Sequence, residues 1–196
     1  MTHSAPHTAG EETSSGIDNQ KLGVWAFISS ETIFFSALIV VYIALHEKNV
    51  TGPYPQDLLS IPLTSINTFI LICSSFSMVT ALASFQKGNI RSGKGWLIAT
   101  FLLGLTFLAG QAFEFTTMAQ EGLSLSKNLF GATFFTLTGF HGAHVLVGLI
   151  WIVFVLVRAY NGKLTIDNHS SVELVGLYWH FVDLVWIIIF TVVYLI

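Results

Sequence analysis

The stretch Phe130–Val157, FGATFFTLTGFHGAHVLVGLIWIVFVLV, decides the fold, because it contains no Asp, Glu, Lys or Arg. A helix crosses the roughly 30 Å hydrocarbon core of a bilayer with about 20 mostly apolar residues. Four further stretches meet this requirement, and short polar loops separate them. The sequence therefore predicts an all-α integral membrane bundle of five transmembrane helices. The predicted spans are about Leu22–Leu45, Leu63–Phe85, Trp96–Met118, Phe130–Val157 and Val172–Ile196.

The composition supports this fold class. The chain is 53% hydrophobic and only 10% charged, whereas a soluble domain usually carries about 25% charged residues. A soluble helical bundle would also need a polar stripe along each helix, and these five stretches show none. The net charge of −3 leaves no basic surface for nucleic acid. A single cysteine, Cys73, excludes a disulfide framework or a thiolate metal cluster within one chain.

Residues 1–20 have a different composition from the rest of the chain, and we predict a flexible polar tail before a transmembrane domain at 21–196. The tail is rich in Ser, Thr, Gly and Ala, and its one large aliphatic residue is Ile17. Such a segment cannot bury enough apolar surface to offset the entropy lost on ordering. It also lacks the basic and apolar regions of a secretory signal.

The basic residues predict the orientation of the bundle, because cytoplasmic loops carry an excess of Lys and Arg. Six of the eight basic residues fall on the side that holds the amino terminus. We therefore predict a cytoplasmic amino terminus and a carboxyl terminus outside. The six are Lys21, Lys87, Arg91, Lys94, Arg158 and Lys163, and the other two are Lys48 and Lys127.

Ionisable residues inside the spans are the candidate site, since an Asp at a helix centre costs about 2.5–3.5 kcal/mol on insertion scales. With a rise of about 1.5 Å per residue, four of them fall near mid-membrane on three helices. We expect an intramembrane polar cluster in which Glu31 and Asp183 accept hydrogen bonds from imidazoles of the fourth and fifth spans. Glu114 is expected nearer the outer face and Glu173 close to the inner one. The cluster would comprise Glu31, His141, His144, His180 and Asp183.

Two interpretations of this cluster remain open. Buried polar groups can fix the register of helices without any chemistry, and that interpretation suits the imidazoles and Asp183. A carboxyl group at mid-depth can also be neutral and exchange protons, so a part in proton movement is the alternative for Glu31.

Other membrane chemistries fit the pattern poorly. A b-type cytochrome needs facing histidines as haem ligands, and Glu31 and Asp183 would compete for His144 and His180. Di-iron carboxylate sites need repeated Glu-x-x-His motifs, whereas the chain has one His-x-x-His. Stand-alone transporters often have helices broken by Gly or Pro at mid-membrane, but all four prolines lie outside the span interiors. We expect no catalytic residue, metal site or cofactor site in this chain.

Four segments, taken in order, resemble helices of subunit III of the haem–copper terminal oxidases, in its five-helix form. Trp25–Phe35 is similar to the family's helix with a buried glutamate, and Gly110–Glu114 to its Gln-x-x-Glu segment. Gly139–Gly148 resembles the family's Gly-x-His-Gly-x-His-Val helix. Tyr178–Trp186, which follows Glu173, resembles its closing helix. This chain departs from the family at Phe115, where the family often has Tyr. A family contact that uses the Tyr hydroxyl is therefore not carried over to this chain.

The resemblance implies a subunit that carries no haem or copper of its own. It would pack against the catalytic subunit I and other oxidase subunits, bind membrane lipids, and support oxygen reduction to water and proton translocation by the complex. Haem and copper would reside in the partner subunits, and the location would be the plasma membrane of a prokaryote. Cytochrome c is the expected electron donor. The alternatives are a quinol oxidase subunit III and, less favoured, a stand-alone proton or ion carrier.

Overall fold

Five helices make up the bundle in the computed structural model, which describes residues 19–46, 48, 60–126, 128–164 and 169–195. Each is long and apolar enough to cross a membrane, so the prediction of five helices of spanning length in an all-helical bundle is confirmed for the described residues. Most of the predicted tail, residues 1–18, lies outside the described residues. The helices are α1 (Asn19–His46), α2 (Ile61–Gln86), α3 (Ile90–Gln120), α4 (Leu129–Tyr160) and α5 (Ser170–Phe190), and α5 continues as a π-helical turn, Thr191–Leu195.

Local sequence explains where several helices begin and end. The side chain of Asn89 accepts a 3.1 Å hydrogen bond from the backbone N–H of Ser92 and so caps the start of α3. Asn128 caps α4 in the same way through a 2.7 Å bond from Gly131. Such caps satisfy backbone N–H groups that have no partner within the helix. After α2, the chain turns at Gly88, whose φ of 75° is accessible to glycine at little cost.

The helices pack as an up-and-down bundle in which α4 and α5 are central. α2 and α3 form a tight antiparallel pair across the short turn at 87–89, while α4 contacts α1, α3 and α5. α5 also packs against α2 and α1. The first helix therefore rests mainly on α4 and α5, and its contacts with them position the ionisable residue that it carries.

Two tryptophans of α5 fill the middle of the bundle. The indole of Trp179 lies between α3 and α4, where a Cβ added to Gly104 would be 2.7 Å from its Cη2 and one added to Gly148 would be 2.8 Å from its Cε3. Its Nε1 donates a 3.0 Å hydrogen bond to Ser74 of α2. Trp186 is equally buried. Small residues let helix backbones approach in a membrane, and here the glycines make room for an indole.

Candidate functional site

Glu31 of α1 and His144 of α4 form a pair at the interface of these two helices. Nε2 of His144 is 3.1 Å from Oε2 of Glu31, and Nδ1 is 2.7 Å from the carbonyl oxygen of Phe140. Because a carbonyl can only accept, Nδ1 must carry a proton. In the contact between Nε2 and Oε2, either an imidazolium donates to a carboxylate or a protonated carboxyl donates to a neutral Nε2. In both states the pair holds one proton between the two side chains.

Aromatic rings surround the Glu31–His144 pair without sealing it. The ring of Phe35 lies edge-on to that of His144, with centroids 5.0 Å apart. A cavity of about 430 Å³ opens over the pair and is lined by Ser30, Phe34 and Phe140 as well. The side chains of Glu31 and His144 keep 19% and 17% of their surface exposed. The pair therefore lies at the edge of the bundle and not in its core.

His141 does not join this pair. Its ring is fully buried and stacks on Trp186 with centroids 4.8 Å apart, and the ring of Phe107 packs edge-on against it. Neither ring nitrogen has a hydrogen-bond partner among the residues that the structure describes. Three residues turn a helix by about 300°, so His141 and His144 point about 60° apart. One consequently faces the core and the other faces α1.

A second polar group lies between α2 and α5. Nδ1 of His180 is 2.5 Å from the hydroxyl oxygen of Ser75. One turn further, Asp183 is 4% exposed. Neither of its carboxyl oxygens has a hydrogen bond of good geometry in the described part of the chain, although the Ser75 hydroxyl lies near its side chain. We expected Asp183 to accept a hydrogen bond from an imidazole, and the structure places it differently, because His180 turns toward α2 instead.

The five residues of the expected cluster are thus divided into separate groups. Within the described residues, no hydrogen bond or ion pair joins the Glu31–His144 pair to the Ser75–His180 contact or to Asp183. The helical rise places these residues at similar depths, but the rotation of each helix points them to different neighbours. Several local contacts that fix helix positions therefore explain the geometry better than one continuous polar path does.

The two outlying acids each contact a neighbouring helix. Glu114 of α3 is 8% exposed, and its Oε1 accepts a 3.0 Å hydrogen bond from the hydroxyl of Thr64 in α2. Glu173, in the first turn of α5, forms a 2.6 Å ion pair with Nζ of Lys21 near the start of α1. Each acid therefore links its helix to a neighbour near one end of the bundle.

Comparison with known proteins decides the family. The family model described as cytochrome c oxidase subunit III matches residues 3–196. The chain belongs to this subunit III family. The resemblance of its four motif segments is thereby confirmed over nearly the whole chain.

Named relatives of this subunit III fall into two groups. The chain is 37% identical to the cytochrome c oxidase subunit 3 of Bacillus sp. strain PS3, over 90% of this chain and 86% of that protein. It is 38% identical to the quinol oxidase subunit 3 of Bacillus subtilis strain 168, over 89% and 85% of the two chains. It is also 34% identical to the cytochrome bo(3) ubiquinol oxidase subunit 3 of Pseudomonas aeruginosa, over 98% and 92%. The chain is thus a subunit III of the haem–copper oxidases, whose relatives carry both names.

The sequence predicted an imidazole partner for Glu31, which is His144, but three other partners were missed. Ser75, Thr64 and Lys21 were not singled out as partners, although each contacts a residue that was part of the candidate site. A run of hydroxyl residues in α2 is a signal, since polar side chains in membrane helices often bond across helices. The signal is ambiguous because such hydroxyls also bond their own backbone, as that of Ser74 does to the carbonyl of Leu71.

No group of three or more His, Cys, Asp or Glu side chains that could hold a metal ion occurs in the described part of this subunit III. The ionisable residues of its interior occur as pairs or singly.

Proposed function

We propose that this chain is the non-catalytic subunit III of a respiratory haem–copper oxidase. It would pack against the catalytic subunit I and other subunits, which would hold the haem and copper, reduce oxygen to water and translocate protons. The observation that carries the proposal is the family match over residues 3–196. The pairing of Glu31 with His144 supports a scaffolding part, because it joins α1 to α4.

We propose cytochrome c as the electron donor. The name of the matching family and that of the relative from Bacillus sp. strain PS3 support this choice. A quinol donor is the second candidate, because relatives named quinol oxidase subunit 3 are equally similar. The donor site would lie in partner subunits, so the residues of this chain support neither donor over the other.

The membrane placement is also a proposal. With six of eight basic residues on the amino-terminal side, the positive-inside rule places the start of α1 in the cytoplasm and the end of α5 outside. The relatives named above are bacterial, which supports the plasma membrane of a prokaryote as the location. The lipids of that membrane would contact the exposed apolar faces of all five helices.

Purification of the tagged chain from its native membrane in mild detergent tests the function. The expected result is a complex with haem and copper that consumes oxygen when supplied with reduced cytochrome c. Oxygen uptake with a quinol and none with cytochrome c would show that a quinol is the electron donor. Recovery of the chain without haem-containing partners would contradict the subunit proposal.

The competing function is an independent proton or ion carrier. Reconstitution of the chain alone into liposomes, with a pH-sensitive dye inside, measures its own proton flux. An accessory subunit is expected to give no flux above that of empty liposomes. Sustained flux without partner subunits would favour the carrier.

A further inference from the structure

Basic side chains collect at one end of the bundle, where α2 and α4 end and α3 begins. The start of α1 lies at the same end, because the five helices run alternately up and down. The ion pair between Lys21 and Glu173 joins the starts of α1 and α5 there. We call the remaining basic residues of this end the basic patch, and they are Lys87, Arg91, Lys94, Arg158 and Lys163.

The basic patch has little negative charge beside it. All of its members are exposed except Lys94, which is half-buried and lies over the ring of Tyr160, 4.6 Å from the ring centroid. Among the residues that the structure describes, no ion pair involves the four members other than Lys163. Glu173 is the one acid described at this end, and it is paired with Lys21. The patch therefore presents an excess of positive charge to an acidic segment on this side.

Residues 1–18, which precede α1, carry the opposite charge. They hold three acids, Glu11, Glu12 and Asp18, and no Lys or Arg. The segment is too short and too polar to cross a bilayer, so it lies on the same side as the patch, whichever way the bundle is oriented. Charges attract each other over about 8 Å at physiological ionic strength. The chain must therefore bring the acids close to the patch for the attraction to act.

The chain is long enough to do so. Glu12 lies seven positions before Asn19, the first residue of α1, and an extended chain spans about 3.3–3.6 Å per residue, which gives a reach of about 25 Å. α4 packs directly against α1, and α3 packs against α4. Because the axes of packed helices lie about 8–10 Å apart, the near ends of α3 and α4 are within that reach.

We propose that the acidic pair Glu11–Glu12 docks on the basic patch of its own chain. A segment tethered this close has an effective concentration on the order of millimolar, so ion pairs that are weak singly hold it together. Contact through charged side chains does not require the segment to bury apolar surface, which its composition does not allow. The docked segment covers the ends of α3 and α4, so an acidic partner reaches them only by displacing it.

A water-soluble carbodiimide tests this contact, because it joins a carboxyl group and an amine in direct contact through an amide bond and adds no spacer. The complex that contains the chain is treated in open membrane fragments, with its lipids in place, and is then digested for mass spectrometry. The expected product joins the peptide with Glu11 and Glu12 to Lys87 or Lys94. The yield is expected to fall as the salt concentration rises, because salt screens exposed charges.

The chain supplies controls for the reaction itself. Lys21 and Glu173 are 2.6 Å apart, so their cross-link is expected in every sample and shows that the reagent has reached this end. Lys48 follows α1 at the opposite end of the bundle and is exposed. A cross-link from Glu11 or Glu12 to Lys48 is therefore not expected.

Substitution of Arg91 tests whether charge holds the segment, because an arginine does not itself react with the reagent. Arg91→Glu is expected to lower the yield of the cross-link to Lys87 or Lys94 about fivefold, the effect of losing two exposed ion pairs. Arg91 is exposed in the first turn of α3, where an acidic side chain favours the helix, so the variant is expected to fold. Arg91→Lys is the matched control and is expected to keep the yield of the wild type.

Several results would overturn the inference. One is the absence of a cross-link from Glu11 or Glu12 to the patch while Lys21 and Glu173 react. A cross-link that forms only after detergent extraction would show that anionic headgroups cover the patch in the membrane, as the positive-inside rule alone would explain. Cross-links from Lys87 or Lys94 to another protein would assign the patch to that partner, and an unchanged yield in Arg91→Glu would exclude charge as the cause.

These outcomes are independent of the function test, because the expected cross-link lies within one chain. A chain that shows the cross-link but copurifies with no haem-containing subunit would refute the proposed function and leave the docked segment in place. A chain that copurifies with an active oxidase but lacks the cross-link would do the reverse.

Discussion

Replacement of Glu31 tests whether the pair with His144 is structural. Glu31→Leu removes the only hydrogen-bond partner of Nε2 of His144 that the structure describes, while the Nδ1 contact with Phe140 at 2.7 Å remains. An unsatisfied buried polar group costs about 1–3 kcal/mol. Because about a fifth of each side chain is exposed, we expect a loss of about 2 kcal/mol, in the middle of that range.

Glu31→Gln separates the hydrogen bond from the charge. The amide introduced by this substitution would donate to Nε2 of a neutral His144 at the same distance, so we expect a loss below about 1 kcal/mol. Ser30→Ala is the matched control, because Ser30 lines the same cavity but its hydroxyl bonds the carbonyl of Phe27 in its own helix. The assays are thermal unfolding of the purified complex and oxygen turnover over time.

The structural interpretation requires a definite order of stability, with Ser30→Ala close to the wild type, Glu31→Gln slightly lower and Glu31→Leu lowest. It also requires that turnover by Glu31→Gln keep the initial rate and lifetime of the wild type. A Glu31→Gln complex that assembles normally but pumps fewer protons, or loses activity sooner, would refute it. Glu31 would then have to exchange the proton that the pair holds.

Three further substitutions test other contacts. Thr64→Val should destabilise the complex by about 1–3 kcal/mol, because the buried carboxyl of Glu114 loses its 3.0 Å hydrogen bond; unchanged thermal stability would contradict this. His141→Phe should cost less than about 1.5 kcal/mol and leave turnover unchanged, since the ring stacks and neither nitrogen has a described partner; a loss of oxygen turnover would give the imidazole a function. Gly104→Val should reduce the yield of folded chain in detergent extracts, because its Cβ would lie 2.7 Å from Trp179, and normal yield would show that the indole can move.

The depth of each ionisable residue followed from the sequence, but its direction did not. Counting residues at a constant rise placed Glu31 and His144 at similar depths, and the structure brings their side chains to 3.1 Å. The same counting grouped His141 with His144, yet the former stacks on Trp186 in the core. Depth depends on one chain segment alone, whereas rotation about the helix axis depends on how all neighbouring helices pack.

The partner of His180 illustrates the same limit. Ser75 lies 105 positions earlier in the chain, and Ser74, Ser75 and Ser77 are chemically equivalent in the sequence. Only the packing of α2 on α5 selects Ser75 for the imidazole and Ser74 for the indole of Trp179. The five helices were predictable because apolar length is a local property, and the contacts were not because they join distant segments.

The indole of Trp179 and the two glycines that flank it constrain how this sequence can change. A larger side chain at Gly104 or Gly148 conflicts with the ring, and a smaller one at Trp179 leaves an unfilled space that costs several kcal/mol. Either change alone is therefore disfavoured, while a paired exchange of volume is not. A change of side-chain volume here is therefore tolerated only when α5 and a helix that faces Trp179 change together. The packing surfaces of α3, α4 and α5 depend on one another.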